Sequence, residues 1–361
     1  YTSREPVISS SLADTPCATL GVQGLLDQLN TTLGTSHSLD TPSLSSLLEE
    51  CIASDYDFGM AYGRLRRIWD SDNWSTTIRD TFRSWEVRDR EVREKALDGN
   101  RIVNPKWPPR RPISHAWVDE KDRFDAQTPI NGYEWPVPIP KDANLNLIRI
   151  EMLNIGFRRG YTWLDVLCLR QEGGPRENMC TEEWKLDVPT IGAMYYDSWV
   201  VCYLSGLGRP LSLKDGDLES NRCWFRRAWT LQEVGRERMI AGDTPDGPLH
   251  AKHKDGKYET ELLIKFHKLW QSMENISWGV FEALESMQNR VSAKPVDKVA
   301  GLAFLMRSRT IPAYYMSQSP EEAWSSLVNS MDMGPWGLLF FWYPEPGNAG
   351  TKWRPSWDQL M

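Results

Sequence analysis

Four short apolar stretches between residues 112 and 241 constrain the fold of this chain most strongly, because they alternate with segments of helical periodicity. The stretches are Pro112–Trp117, Tyr161–Leu169, Trp199–Leu204 and Arg238–Ala241, and the segments between them are Asn144–Phe157, Glu182–Tyr196 and Arg222–Glu233. Alternation of strands with helices is typical of a parallel sheet. Strands that are apolar along almost their whole length are covered on both faces. We therefore predict an α/β fold, a parallel sheet with helices on both faces.

The length of 361 residues is enough for two or three domains. Residues 1–104 have mainly helical periodicity, and residues 105–111 form a Pro-rich joint. The predicted α/β domain covers residues 112–245. Residues 246–361 again have helical periodicity, and we expect them to form a C-terminal region that packs on the α/β domain.

Composition limits the function classes. The net charge of −7 argues against general binding to nucleic acid or to an anionic membrane, and no apolar run approaches the roughly 20 residues of a membrane span. The six cysteines include no CxxC pair, which favours reduced thiols and a cytoplasmic protein. The histidines lack carboxylates or cysteines at convincing ligand spacing, so we predict no metal site and no bound cofactor.

Polar residues at the carboxyl ends of the predicted strands are the candidate site. In an open α/β sheet these ends line one crevice, where ligands bind. The candidates are Ser114, His115 and Trp117 after the first strand, Asp165, Arg170 and Gln171 around the second, and Trp229, Gln232 and Glu233 on the helix that follows the third. On a helix, Trp229 and Glu233 share one face. A carboxylate beside an indole loses water, which raises its pKa and suits acid–base or cation-stabilising chemistry.

Structural roles remain open alternatives for several of these residues. Asp165 inside an apolar stretch needs a partner, which Arg170 or a backbone amide can supply without any function. His115 at a strand end is alternatively a hydrogen-bonding residue rather than a general base. The two indoles can serve core packing, because 18 tryptophans cannot all bind a ligand. Glu233 is alternatively a solvated side chain.

Three blocks of this sequence, in order, resemble the fungal heterokaryon-incompatibility (HET) domain. Ile113-Ser-His-Ala-Trp117 stands where that family usually has Ser-Tyr-Cys-Trp-Gly. Trp163-Leu-Asp-Val-Leu-Cys-Leu-Arg-Gln171 stands against Trp-Ile-Asp-x-x-Cys-Ile-Asn-Gln. Arg227-Ala-Trp-Thr-Leu-Gln-Glu233 fits the third block nearly letter for letter. The blocks span about a third of the chain, and His115, Val118 and Arg170 depart from the usual residues.

HET domains are similar to the TIR domain, which implies a TIR-like (flavodoxin-like) fold here. Trp229-x-x-x-Glu233 falls on the helix that carries the catalytic glutamate of those TIR domains that cleave NAD. The resemblance therefore implies that Glu233 is catalytic and that NAD or a related nucleotide is the substrate. The residue types are consistent with such a ligand: Ser114, Arg170 and Gln171 can contact phosphates or ribose, and Trp117 and Trp229 can stack on a base or on nicotinamide.

The resemblance leaves two hypotheses. One is an NAD nucleosidase acting in cell death or in self/non-self recognition, with Glu233 stabilising the positive charge that develops on ribose. The other is a non-enzymatic signalling module that associates with itself or with a partner, as many TIR domains do. Neither hypothesis involves nucleic acid or a membrane.

Overall fold

The computed structural model describes residues 8–40, 42–66, 68–69, 84, 87–88, 91, 97–98, 101–103, 110–131, 133–143, 148–150, 152–153, 161–242, 261–273, 279–306 and 310–361. The chain divides into two compact units. The first unit is Tyr1–Glu94 with Asn144–Thr162, and the second is Lys95–Ala143 with Trp163–Met361. Most of the predicted joint, residues 105–109, lies outside the described residues.

The first unit is helical where it is described, with helices α1 (Ser10–Ala13), α2 (Cys17–Leu33), α3 (Pro42–Ala53) and α4 (Phe58–Leu65). Leucines spaced three and four apart on α2, among them Leu25, Leu26 and Leu29, are fully buried in its core. Asp57 caps α4 by accepting from the amide of Met60, 2.9 Å away. These local signals explain the helices of this unit.

The second unit contains the sheet that positions the candidate site. In chain order, the described strands are β1 (Leu97–Asp98), β2 (Arg101–Val103), β3 (Arg110–His115), β4 (Arg123–Ala126), β5 (Val137–Pro140), β6 (Tyr161–Leu164), β7 (Trp199–Tyr203), β8 (Glu237–Ile240) and β9 (Thr310–Pro312). Four of them form one sheet in the order β6-β3-β7-β8. β3 pairs with β7 in parallel, with Ile113 opposite Val201, and β7 pairs with β8 in parallel. The predicted α/β class is confirmed.

The helices of the second unit, in chain order, are α5 (Asp165–Cys168), α6 (Cys180–Asp187), α7 (Ile191–Tyr195), α8 (Glu261–Ser272), α9 (Val280–Gln288), α10 (Val296–Ala303), α11 (Pro320–Ser330), α12 (Met333–Trp342) and α13 (Trp357–Leu360). One hydrophobic core includes both sheet residues and side chains of the C-terminal helices, with Trp224, Trp324 and Tyr195 at 0–1% exposure. No helix in the described ranges is at once long enough and apolar enough to cross a membrane.

The stretch Arg222–Glu233 is not a helix, and that prediction was wrong. It forms two single 3₁₀ turns, Trp224–Arg226 and Trp229–Leu231, with extended backbone between them at Arg227 (φ −81°, ψ 136°). The amide of Ala228 donates to the carbonyl of Val291 (2.9 Å), so Arg227 and Val291, which are far apart in the chain, form a parallel backbone bridge there. Local periodicity cannot reveal such a long-range backbone pairing.

The predicted strand Tyr161–Leu169 is also only partly correct, because strand β6 ends at Leu164 and α5 begins at Asp165. The carboxylate of Asp165 accepts a hydrogen bond from the amide of Val166 (2.7 Å), and its carbonyl accepts from the amide of Leu169 (2.8 Å). Asp favours such local hydrogen bonds at helix starts. The apolar run therefore continues through a change of secondary structure.

Candidate functional site

A cavity of about 780 Å³ opens beside the carboxyl end of β3 in the second unit. Its walls come from four separate parts of the chain, within residues 115–123, 163–191, 221–233 and 291–314. Cavities of several hundred Å³ are typical of small-molecule sites. Among the predicted residues, six line this cavity: His115, Trp117, Asp165, Gln171, Trp229 and Glu233.

Glu233 follows the second 3₁₀ turn and is held by the first strand of the site. Its Oε2 accepts a hydrogen bond from the hydroxyl of Ser114 (2.5 Å), and that hydroxyl accepts from the indole N–H of Trp224 (2.7 Å). Ser114 and Trp224 are almost fully buried, so they fix the Glu233 carboxyl from the protein interior, on the side away from the cavity. Ser114 therefore supports the cavity wall rather than facing the cavity.

Burial raises the pKa of Glu233 to about 7. The hydrogen bond from Ser114 acts in the opposite direction, and the nearby negative charge of Asp165 adds to the increase. A carboxyl group with a pKa near neutrality exists in both protonation states at physiological pH. Such a group can exchange protons or offer a negative charge to a ligand.

His115 and Asp165 form a buried pair that also borders the cavity. Nε2 of His115 lies 2.8 Å from Oδ1 of Asp165, and the indole of Trp117 donates to Oδ2 (3.3 Å). Burial lowers the pKa of His115, but the carboxylates of Asp165 and Glu233 outweigh it and the net shift is upward. Burial raises the pKa of Asp165, and the hydrogen-bonded His115 brings it below its usual value. Both shifts favour the ionised forms of the two side chains, and Asp165 is both a structural and a cavity residue.

Arg170 lies outside the cavity walls in a buried ion-pair network. Its Nε donates to Glu183 (2.8 Å) and its Nη1 to Glu134 (3.3 Å), while the guanidinium covers the ring of Trp135 at 5.0 Å. Of the two partners proposed for Asp165, Arg170 or a backbone amide, the structure shows the backbone amide of Val166, and Asp165 pairs in addition with His115. The structure thus gives Arg170 a structural role, because each of its three guanidinium nitrogens already donates to Glu183 or Glu134.

Gln171 and Gln232 differ in position, although both were candidates. Gln171 lines the cavity, and its amide donates to the carbonyl of Leu169 (2.8 Å). Gln232 is 2% exposed and does not line the cavity. Neither polar atom of its side chain has a hydrogen-bond partner among the described residues. Of the three predicted site residues in the third block, Trp229 and Glu233 therefore line the cavity and Gln232 does not.

Sequence reasoning missed a second group of polar cavity residues, which includes Arg227, Lys294, Asp297 and Tyr314. Asp297, in the first turn of α10, accepts from the hydroxyl of Tyr314 (2.7 Å) and from the amide of Lys294 (3.1 Å). Burial raises its pKa despite these bonds. An acidic residue in the first turn of an amphipathic helix is ordinary, so the sequence carries no signal for it. Arg227 belongs to the third block that resembles the HET domain, but it was not among the predicted site residues.

A smaller cavity of about 300 Å³ shares Trp117, Val118 and Arg222 with the first. Neither Asp165 nor Glu233 lines it. Within the part of the chain that the structure describes, no group of His, Cys, Asp and Glu side chains is arranged to hold a metal ion. Asp165 and Glu233, the two candidate carboxyl groups, therefore belong to the larger cavity.

No protein-family model, no curated protein and no solved structure matches this chain.

Proposed function

We propose that the protein is an NAD nucleosidase that cleaves the bond between nicotinamide and ribose in NAD or a related nucleotide, with Glu233 as the catalytic residue. One observation carries the proposal: the Glu233 carboxyl, fixed by Ser114, faces a cavity of nucleotide size that two indoles, Trp117 and Trp229, also line. The three sequence blocks that resemble HET domains, and through them TIR domains, support the same substrate. The proposed setting is a cytoplasmic cell-death or self/non-self recognition response.

The chemistry follows from the charge that develops on ribose. As the glycosidic bond breaks, nicotinamide leaves with the bonding electron pair and the sugar becomes an oxocarbenium-like cation. The ionised Glu233 carboxylate stabilises this cation, and the Ser114 hydroxyl keeps the carboxylate oriented. Water then adds to the anomeric carbon, and its proton passes to Glu233 or to solvent. The products are nicotinamide, ADP-ribose and one proton.

The indoles of Trp117 and Trp229 supply flat surfaces for nicotinamide or adenine. Trp117 is stacked with His115 at 5.5 Å between ring centroids, and Trp229 meets Tyr314 edge to face at 6.3 Å. These contacts fix the orientation of both indoles before any ligand arrives. A preformed surface reduces the entropy lost on binding.

The test is nicotinamide release from NAD by the native protein and by Glu233→Gln. We expect the substitution to reduce the rate by about 10²- to 10⁴-fold. The native rate should rise as pH increases through about 7, because ionisation of Glu233 produces the stabilising carboxylate. Glu237→Gln, an exposed position on β8, is the matched control and should retain the native rate. Equal rates for Glu233→Gln and the native protein would remove Glu233 from the mechanism.

A second candidate function is a signalling module that acts by self-association. The observation that favours it is α12, on which Met333, Phe341 and Trp342 are 89%, 75% and 74% exposed. Clustered exposed apolar side chains mark interaction surfaces. Light scattering over a range of protein concentrations should show a rising mass that Phe341→Ser with Trp342→Ser abolishes. A constant monomer mass would contradict this function, and the two functions are compatible.

A further inference from the structure

Arg227 stands out among the cavity residues because its side chain is hydrogen-bonded to none of the described residues. The guanidinium lines the cavity and makes no hydrogen bond and no ion pair with any residue that the structure describes. Its backbone, by contrast, is hydrogen-bonded at both polar groups. The amide donates to the carbonyl of Trp224 (3.3 Å), and the carbonyl accepts from the guanidinium of Arg290 (2.6 Å). The chain therefore holds the residue firmly while leaving its charged group to the cavity.

Other arginines around the cavity have partners. Arg222 pairs with Asp119, and Arg123 lies 3.4 Å from Glu120. Arg227 is half-buried whereas Arg222 is exposed, and the loss of water lowers the pKa of Arg227. Leaving a partly buried cation with five N–H donors unpaired is costly. A binding site can accept this cost because a ligand supplies the missing acceptors.

The charges around Arg227 indicate an anionic ligand group bound within a longer molecule. The carboxylates of Glu233, Asp165 and Asp297 act on its pKa through space, yet none of them accepts a hydrogen bond from it. Lys294, from the C-terminal part of the wall, places a second cation on the same cavity. Its ammonium contacts the neutral sulfur of Met316 (2.7 Å) and has no carboxylate within ion-pair distance in the described ranges. Arg227 and Lys294, neither of whose side chains is hydrogen-bonded to a carboxylate within the described residues, therefore both line the cavity that also contains the acidic group proposed for catalysis.

We propose that Arg227, assisted by Lys294, is the subsite for the diphosphate of the nucleotide whose glycosidic bond lies at Glu233. This inference rests on the proposed function, and it assigns to Arg227 the phosphate contact for which the sequence offered Arg170 as a candidate. A planar guanidinium suits the task, because its parallel N–H groups match two oxygens of a phosphate. The site consequently selects phosphorylated nucleotides over nucleosides.

The experiment measures binding of ADP-ribose and of adenosine by calorimetry, for the native protein and for Arg227→Gln. We expect the substitution to weaken ADP-ribose binding by about 10- to 100-fold and to leave adenosine binding unchanged. Arg226→Gln is the matched control, because the neighbouring arginine donates to the carbonyl of Glu219 and does not line the cavity. Its affinity for ADP-ribose should equal that of the native protein.

Thermal unfolding without ligand separates this role from a structural one. Removing a structural arginine destabilises a protein, whereas Arg227→Gln should leave the melting temperature unchanged or raise it, because the substitution removes a charge that burial disfavours. If Arg227→Gln does not fold, Arg227→Lys and competition by inorganic pyrophosphate against ADP-ribose on the native protein provide the test. We expect competition, and its absence would overturn the subsite.

Failure of the subsite and failure of the proposed function give different results. ADP-ribose binding that depends on Arg227, without any cleavage of NAD, would support the subsite and contradict the nucleosidase. Cleavage of NAD by Arg227→Gln with native KM, together with native affinity for ADP-ribose, would overturn the subsite and leave the nucleosidase standing.

Discussion

Replacing Glu233 by glutamine should make the protein more stable at neutral pH, and the gain should depend on pH in a defined way. The unfolded carboxyl has its ordinary pKa of 4.5, and burial raises the folded value to about 7. The folded protein therefore holds a proton that the unfolded chain releases between these two values. This contribution to the free energy of unfolding is fully present below pH 4.5 and is lost as pH rises through 7.

The size of the effect follows from the difference between the two pKa values. It corresponds to about 3 kcal/mol as an upper bound, since the carboxyl borders a cavity that water can enter. Glutamine carries no charge at any pH, and its carbonyl oxygen can still accept from Ser114. The stability gain of Glu233→Gln should therefore be close to zero at pH 4.5, grow up to pH 7 and level off above it.

The assay is urea unfolding of both proteins at half-unit steps from pH 4.5 to 8.5. At pH 8 the variant should be more stable by about 2–3 kcal/mol. Glu285→Gln, at an exposed position on α9, is the control and should change the stability by less than about 0.5 kcal/mol. A difference between Glu233→Gln and the native protein that stays constant across this range would refute the reasoning, because it would mean that Glu233 titrates alike in both states.

Two further substitutions probe the groups around the carboxyl. Asp165→Asn should destabilise the protein by about 3 kcal/mol near pH 5, where the buried pair with His115 is ionised. The loss should be smaller as pH rises through the raised pKa of His115. Urea unfolding at pH 5 and pH 8 measures the two losses of stability, and equal losses would contradict the prediction. Arg290→Met removes hydrogen bonds to the Arg227 carbonyl (2.6 Å) and the Thr230 hydroxyl (2.8 Å). Amides in that turn should then exchange hydrogen faster, and unchanged exchange would show that Arg290 does not position the turn.

The sequence was a good guide to the sheet and to the residues near its edge. Apolar runs end at polar residues, and His115 and Asp165, selected by this pattern, both line one cavity. It was a poor guide to Arg170, whose acidic partners Glu183 and Glu134 lie 13 and 36 residues away along the chain. An ion pair between such distant residues leaves no periodic signal.

The segment that carries Glu233 is a second case in which contacts between distant residues overrode what the local sequence predicted. Its composition favours a helix, and a helix would have placed Trp229 and Glu233 on one face. Backbone pairing with Val291 and the hydrogen bonds of Arg290 impose two short turns instead. Both residues still reach the cavity, but for reasons of tertiary contact rather than helical spacing.

The sequence by itself determined the α/β class and the parallel strands, because apolar periodicity and strand length are local properties of the chain. Only the tertiary structure decided the backbone at Arg227, the partners of Arg170 and Asp165, and the contribution of residues 291–314 to the cavity wall. The physical reason is that the free energies of these features come from burial and from hydrogen bonds between segments far apart in the chain. The local sequence does not encode which distant group will supply each partner.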